Sequence, residues 1–252
     1  MAELIQLDVP SQKTFPTPMT GRVVNRRIPE WLTIKLPKRQ GIEEVEGLMR
    51  RAGLVTVCEE ARCPNLGECW SKKTATFMIL GDTCTRACRF CAVKTGKGGA
   101  LDPDEPRKVA ESAAVLGLKH TVVTSVNRDE LPDGGSQHFA ETIQWLRRLL
   151  PETIIEVLTP DFLGNKTNIQ TVVDAKPHVY NHNIETVPRL YRQVRPQARY
   201  ARSLQLLQYV KAADPEIYTK SGLMVGLGET KDEVVALLED LKAYDVDAVT
   251  IG

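Results

Sequence analysis

The sequence predicts an α/β fold: a partial (β/α)6 TIM-like barrel over residues 74–252, preceded by a cysteine-bearing N-terminal extension over residues 1–73. Three observations lead there. From residue 74 onward, short apolar runs return at intervals of about 25 to 35 residues, each separated by a stretch of helical period, the pattern of right-handed βαβ units in a parallel sheet. Six such runs occur, fewer than the eight of a closed barrel, so a partial barrel is favoured and a doubly wound open sheet is the alternative. The first 73 residues lack the alternation and are punctuated by proline, so they extend the fold without forming a second complete domain.

The elements follow in order. TATFMIL, residues 74–80, reads as a buried strand, and residues 102–117 as a helix with Pro106 in its first turn and Gly117 near its end. HTVVTSV, 120–126, is the second strand. In the helix over 136–150, Phe139, Ile143, Leu146 and Leu150 share one face. TIIEVLT, 153–159, is the third strand, followed by a short helix over 168–175. HVYNHNIE, 178–185, is the fourth, with helical segments over 187–194 and 201–213. SGLMVG, 221–226, is the fifth, and Thr230 with Glu233 forms a capping box for a helix over 231–244. DAVTIG, 247–252, is the sixth. Before all of these, PEWLTIKLP is an extended apolar piece at 29–37, and 41–54 has the pattern of a helix. A ligand site is expected at the C-terminal strand ends.

Composition narrows the function classes. The chain of 252 residues is 42% hydrophobic and 26% charged, with a formal net charge of +1. That is a globular balance, without the global field that a nucleic-acid or anionic-membrane partner would call for. No apolar run approaches the roughly 18 residues of a membrane span, and MAELIQLDVPSQ lacks the basic start and apolar stretch of a secretory signal. A cytoplasmic location is therefore expected, an organellar matrix or stroma being equally compatible, with neither nucleic acid nor membrane as partner.

All six cysteines lie between Cys58 and Cys91. A disulfide framework would spread its bridges across the fold, so this clustering favours metal binding or catalytic thiols. Cys84, Cys88 and Cys91 follow C-x3-C-x2-C in the loop after the first strand, and Cys58, Cys63 and Cys69 follow C-x4-C-x5-C upstream. Thiolates this close can hold an iron–sulfur cluster. Structural zinc is the alternative, but His120, His138, His178 and His182 lack the spacing that would complete a zinc site.

With Phe90 as its aromatic, CTRACRFC resembles the loop of the radical S-adenosylmethionine (radical SAM) superfamily. The resemblance implies a [4Fe-4S] cluster on Cys84, Cys88 and Cys91 whose fourth iron binds S-adenosylmethionine, giving a 5'-deoxyadenosyl radical. CEEARCPNLGECW, TSVNRDELPDGG, YNHNIETV and KSGLMVGLGET together resemble the lipoyl synthase family within it. That resemblance implies a second, auxiliary [4Fe-4S] cluster on Cys58, Cys63 and Cys69. Sulfur from it would be inserted at C6 and C8 of an octanoyl group carried by a protein. The implied partners are octanoylated lipoyl carrier domains, namely 2-oxoacid dehydrogenase E2 subunits and the glycine cleavage H protein, with a flavodoxin- or ferredoxin-type electron donor. The family's fourth auxiliary ligand is a serine in a C-terminal segment, expected beyond Gly252.

Further candidates follow from placement. Residues 222–229 resemble the superfamily's G-x-I-x-G-x-x-E strand with Met224 in the isoleucine place, which puts Met224 and Gly226 along the adenine; a tight βα turn is the plain alternative. Asn127 and Asp129, flanking Arg128, sit on an active-face loop. Glu156 is a carboxylate in an apolar strand and must face a polar cavity, which suits a ribose hydroxyl or the cofactor ammonium. Asn181 and Asn183 flank His182 at the fourth strand's end; an asparagine is expected to bond cofactor or substrate, and His182 to be structural. Arg202 is the candidate for the methionine carboxylate. The basic stretch from Arg26 to Arg39 either docks an acidic carrier or is a solvated face.

Overall fold

A computed structural model describes residues 74–252 without interruption and, before them, positions 47, 50, 54–56 and 69. The boundary at residue 73, the extended piece at 29–37, the basic stretch and both Cys58 and Cys63 lie outside the described residues. Of the helix expected over 41–54, Gly47 and Arg50 are described, and both are helical.

The elements are β1 (Val55–Thr56), β2 (Thr74–Ile79), β3 (Thr83–Cys84), β4 (Lys94–Thr95), α1 (Glu105–Leu116), β5 (His120–Ser125) and α2 (Ser136–Leu149). They continue as β6 (Ile154–Leu158), α3 (Lys166–Asp174), β7 (Val179–Asn181), α4 (Tyr191–Val194), α5 (Tyr200–Ala213), β8 (Tyr218–Leu223), α6 (Lys231–Ala243) and β9 (Ala248–Ile251). In the main sheet the strand order is β1-β2-β5-β6-β7-β8-β9, and every pair but β1–β2 is parallel. Spatial order thus follows chain order with no reversal. A doubly wound sheet reverses at a switch point, so the partial barrel of six parallel strands is the architecture found.

Local chemistry explains the helices. Pro106 sits in the first turn of α1, and Gly117 ends it in the left-handed conformation at φ 58°. Thr230 and Glu233 cap α6 reciprocally. Helix α3 starts two residues earlier than its apolar pattern suggests, because the Asn165 side chain accepts from the backbone N–H of Thr167 at 2.9 Å. On α2, Phe139, Ile143 and Leu146 are fully buried, each worth about 1.5–3 kcal/mol of transfer free energy. Leu150, on the same stripe, is partly buried.

Two strands differ from expectation. Strand β8 starts and ends three residues before the predicted 221–226, because Tyr218 and Lys220 belong to the ladder although they break the apolar run. The fourth strand is only Val179–Asn181; beyond it Glu185 takes φ 65° and rejoins β8 by a single bridge to Leu223. The antiparallel β1 on the edge of β2, and the two-residue pair β3–β4, carry too little sequence to show a period.

Candidate functional site

The loop leaving β2 makes its first turn at Leu80 and Gly81, both left-handed at φ 69° and 92°. For a leucine that conformation costs free energy, and it is held by both of its peptide groups. The Leu80 N–H donates to Glu105 Oε2 at 2.8 Å, and its carbonyl accepts from Arg128 Nη1 at 2.9 Å. Its side chain packs where a Cβ on Gly135 would lie 2.3 Å from Leu80 Cδ1. Gly135, at φ 87°, therefore has two reasons to be glycine.

Beyond this turn Cys84 ends β3, which pairs with β4 in parallel, and Cys88 and Cys91 flank a turn closed by Cys91 N–H donating to the Cys88 carbonyl at 3.1 Å. Cys84 Sγ accepts from the backbone N–H groups of Asn127 at 3.3 Å and Arg86 at 3.4 Å. Two amide donors aimed at one sulfur suit a ligand that carries negative charge. Burial pushes the Cys88 thiol up, against the pull of the Arg195 charge.

All three sulfur residues line a cavity of about 400 Å³ at the C-terminal strand ends, with Phe90, Met78, Val126 and Leu158 forming apolar wall. Among the described residues, no His, Cys, Asp or Glu group is drawn close enough to grip a single metal ion. Residues lining the same cavity carry buried polar atoms without a partner among the described residues: Ser125 Oγ, Asn127 Oδ1, Thr159 Oγ1, Asn183 Oδ1 and Arg195 Nε. An unpaired buried polar atom costs roughly 1–3 kcal/mol. Together they fit a polar ligand bearing both hydrogen-bond donors and an anionic group.

The sequence-derived candidates separate into two groups. Phe90, Asn127 and Asn183 line the cavity. Asp129, Glu156, Asn181, Arg202, Met224 and Gly226 do not, and most are committed to protein partners. Asp129 takes a two-pronged bond from Arg86 at 2.6 and 2.8 Å. Arg202 donates to Asp161 at 3.0 Å. Glu156 is buried one layer deeper in the barrel, with Lys220 at 2.9 Å, His120 at 3.1 Å and Asn181 at 3.3 Å. Desolvation pushes its carboxyl up, but the bonds from His120 and Lys220 prevail and hold it below the usual range. Met224 N–H donates to the Glu185 carbonyl at 2.9 Å, and Gly226 lies in a turn at φ 101° where the Glu229 carboxylate accepts its N–H. Of the upstream trio only Cys69 is described: it is helical and packs partly buried against the core.

His182 is a structural histidine. Its Nδ1 faces the Thr159 carbonyl at 2.8 Å, which can only accept, so Nδ1 carries the proton and Nε2, at 2.9 Å, accepts from the Ser203 hydroxyl. Burial, helped by the Arg195 charge, pushes its pKa down to about 4.

Sequence reasoning missed Arg86, Asp161 and Arg195, which also line the cavity. Arg86 is 4% exposed and bonds Asp161 at 2.6 Å as well as Asp129, tying the middle of the cysteine loop to the loops after β5 and β6. Burial pushes the Asp161 carboxyl up, but Arg86, His182 and Arg202 more than offset it and hold the pKa at about 2. Arg86 lies inside the cysteine motif, at a position the spacing leaves free. Arg195 reaches the cavity only because its segment packs beside the loop, where Arg89 N–H donates to the Val194 carbonyl at 2.9 Å.

Comparison with known proteins gives consistent matches. The model of the family described as the radical SAM superfamily matches residues 78–241. A lipoyl synthase of Rubrobacter xylanophilus is 57% identical over 224 residues, 89% of this chain and 70% of that protein. Among solved structures, a methylornithine synthase superposes with a TM-score of 0.57 at 15% identity, covering 84% of this chain and 66% of that one, just under two thirds. SuiB of Streptococcus suis, bound to precursor peptide SuiA, gives a TM-score of 0.56 at 10% identity, over 84% of this chain and 43% of that one. At these identities the two structures speak to the fold alone.

Proposed function

The chain belongs to the radical SAM superfamily and, within it, to the lipoyl synthases; from that premise we propose that it inserts two sulfur atoms, at C6 and C8, into an octanoyl group borne by a lipoyl carrier domain. The observation that carries the reading is the cavity: three cysteines on one wall and unpartnered polar atoms on the others. Cys84, Cys88 and Cys91 would hold a [4Fe-4S] cluster, and Cys58, Cys63 and Cys69 an auxiliary one that is the sulfur source. With its cofactors bound, the site is supplied with a carbon radical able to take hydrogen from an unactivated C–H bond, chemistry beyond side-chain acids and bases.

The chain's own residues bind and orient. Arg195 is the cation placed to meet the carboxylate of S-adenosylmethionine. Its Nη1 donates to the Asn183 carbonyl at 2.7 Å and the Tyr191 hydroxyl at 3.2 Å, but its buried Nε has no partner among the described residues. Arg202, in contrast, lies off the cavity and is engaged by Asp161. Asn127 and Asn183 offer acceptors to its ammonium and hydroxyl groups. Phe90, Met78, Val126 and Leu158 keep water from the reacting end. The carriers are E2 subunits and the glycine cleavage H protein, and a flavodoxin- or ferredoxin-type protein delivers the electrons.

Anaerobic reconstitution followed by incubation with an octanoylated carrier domain tests this directly. Mass spectrometry is expected to find two sulfur atoms gained, and Cys84→Ala to abolish S-adenosylmethionine cleavage. A carrier that leaves unchanged while the cofactor is cleaved would exclude the substrate; cleavage by the Cys84→Ala protein would exclude the cluster assignment.

A further inference from the structure

We infer that Arg128 is the clasp of the three-cysteine loop, a positioning residue that fixes where Cys84, Cys88 and Cys91 stand by joining the loop's two ends. The segment between β2 and α1 has little secondary structure of its own: two strands of two residues each, β3 and β4. Leu80 is its first residue, and Gly99 lies beyond β4 and past all three cysteines, so the two bracket the cysteine loop. Arg128 reaches both, donating from Nη1 to the Leu80 carbonyl at 2.9 Å and from Nη2 to the Gly99 carbonyl at 2.8 Å. Its third contact, Nε to Glu130 Oε1 at 2.5 Å, turns the guanidinium plane toward the two carbonyls and balances its charge. The residue is 4% exposed. A planar fork of donors can hold three acceptors at once in fixed directions, which a lysine ammonium on a flexible stem does not reproduce.

Two surroundings show that the clasp is tight. At the near end Leu80 is left-handed, and its N–H is held by Glu105, whose Oε2 is also 2.7 Å from His138 Nε2. At the far end a Cβ on Gly98 would lie 2.4 Å from Arg128 Cζ. Replacing that glycine would therefore push the guanidinium off its partners without altering Arg128 itself. Asn127 and Asp129 serve the same loop from either side, the first through its backbone to Thr85 and Cys84 Sγ, the second through Arg86. The NRD tripeptide is thus a holder for the cysteine loop.

Hydrogen exchange on the full-length iron-free chain tests the clasp, and iron release tests its consequence. In Arg128→Met, amides over 81–99 are expected to exchange at least about tenfold faster while those of β5 and α2 keep their rates. Arg128→Lys should restore this only in part, and Gly98→Ala should give the same local effect more weakly. Iron release is read on reconstituted protein carrying Cys58→Ala, Cys63→Ala and Cys69→Ala, so that only the loop's cluster contributes. A ferrous chelator should then strip Arg128→Met about tenfold faster than its parent.

Unchanged exchange over 81–99 would overturn the inference, as would an increase spread evenly over the sheet, or faster exchange without faster iron loss. Should Arg128→Met not fold, Gly98→Ala decides the matter by the same criteria. The iron readout rests on the cluster assignment proposed above, whereas the exchange readout does not. A parent that binds no iron would therefore sink that assignment and leave the clasp standing.

Discussion

Two polar groups share the interior of this barrel, and they are in opposite conditions. At the mouth, Ser125, Asn127, Asn183 and Arg195 each present a buried atom without a partner among the described residues. One layer down, Glu156 has Lys220, His120 and Asn181 within 2.9 to 3.3 Å. Both groups look alike in the sequence, as polar residues in or beside apolar strands. Burial without partners is costly, so the upper group makes sense only with a ligand in place. Below it the Glu156 carboxylate is fully partnered, with Asn181 Oδ1 the one atom of that group left without a partner among the described residues. His182 shows that position alone does not decide: it is near the mouth, yet both ring nitrogens are satisfied.

The sharpest test of that contrast is the pH dependence of His182. Its pKa falls from 6.5 unfolded to about 4 folded, so the unfolded chain binds the proton first on acidification. Stability is then full above pH 6.5 and declines by about 3 kcal/mol as pH falls toward 4. Thermal melts across that range should show the decline in the parent and a flatter profile in His182→Gln; equal slopes would contradict a neutral, paired ring.

Next in size is Lys220→Met, which leaves the Glu156 carboxylate buried with one fewer counter-charge. A loss of about 2 kcal/mol in stability is expected, with affinity for S-adenosylmethionine unaltered. If calorimetry found the reverse, Glu156 would belong with the upper group after all. Asn127→Ala removes an unpaired acceptor and should do the opposite: cofactor affinity drops about tenfold, and the melting temperature stays put. The smallest effect is expected from Arg202→Lys, which loosens one bond to Asp161 by less than about 1 kcal/mol and leaves cofactor affinity as it was. A tenfold affinity loss there would restore the carboxylate-binding role that the sequence suggested for Arg202.

The fold was legible because strand and helix periods differ and six units repeat them; Pro106, Gly117 and the Thr230–Glu233 box even marked individual ends. The cysteine loop was legible through spacing. What could not be read was which polar residues were already spoken for. Asp129 and Arg202 have the right chemistry for a cofactor, but their partners, Arg86 and Asp161, are 43 and 41 residues away in the chain. Arg195 was invisible for the converse reason, since only the packing of its segment beside the cysteine loop brings it to the cavity. β8 was misplaced because Lys220, whose charge argues against a strand, is neutralised by Glu156 within the barrel.

Gly135 carries a consequence for mutational tolerance. It belongs to neither the cysteine motif nor the cavity, but a methyl there would meet Leu80, the residue at which the cysteine loop departs from the sheet. A scan of every substitution along the chain should therefore find position 135 about as unforgiving as the cysteines. Its failures would be recognisable, because they would spare the helix that begins beside it and fall on the iron.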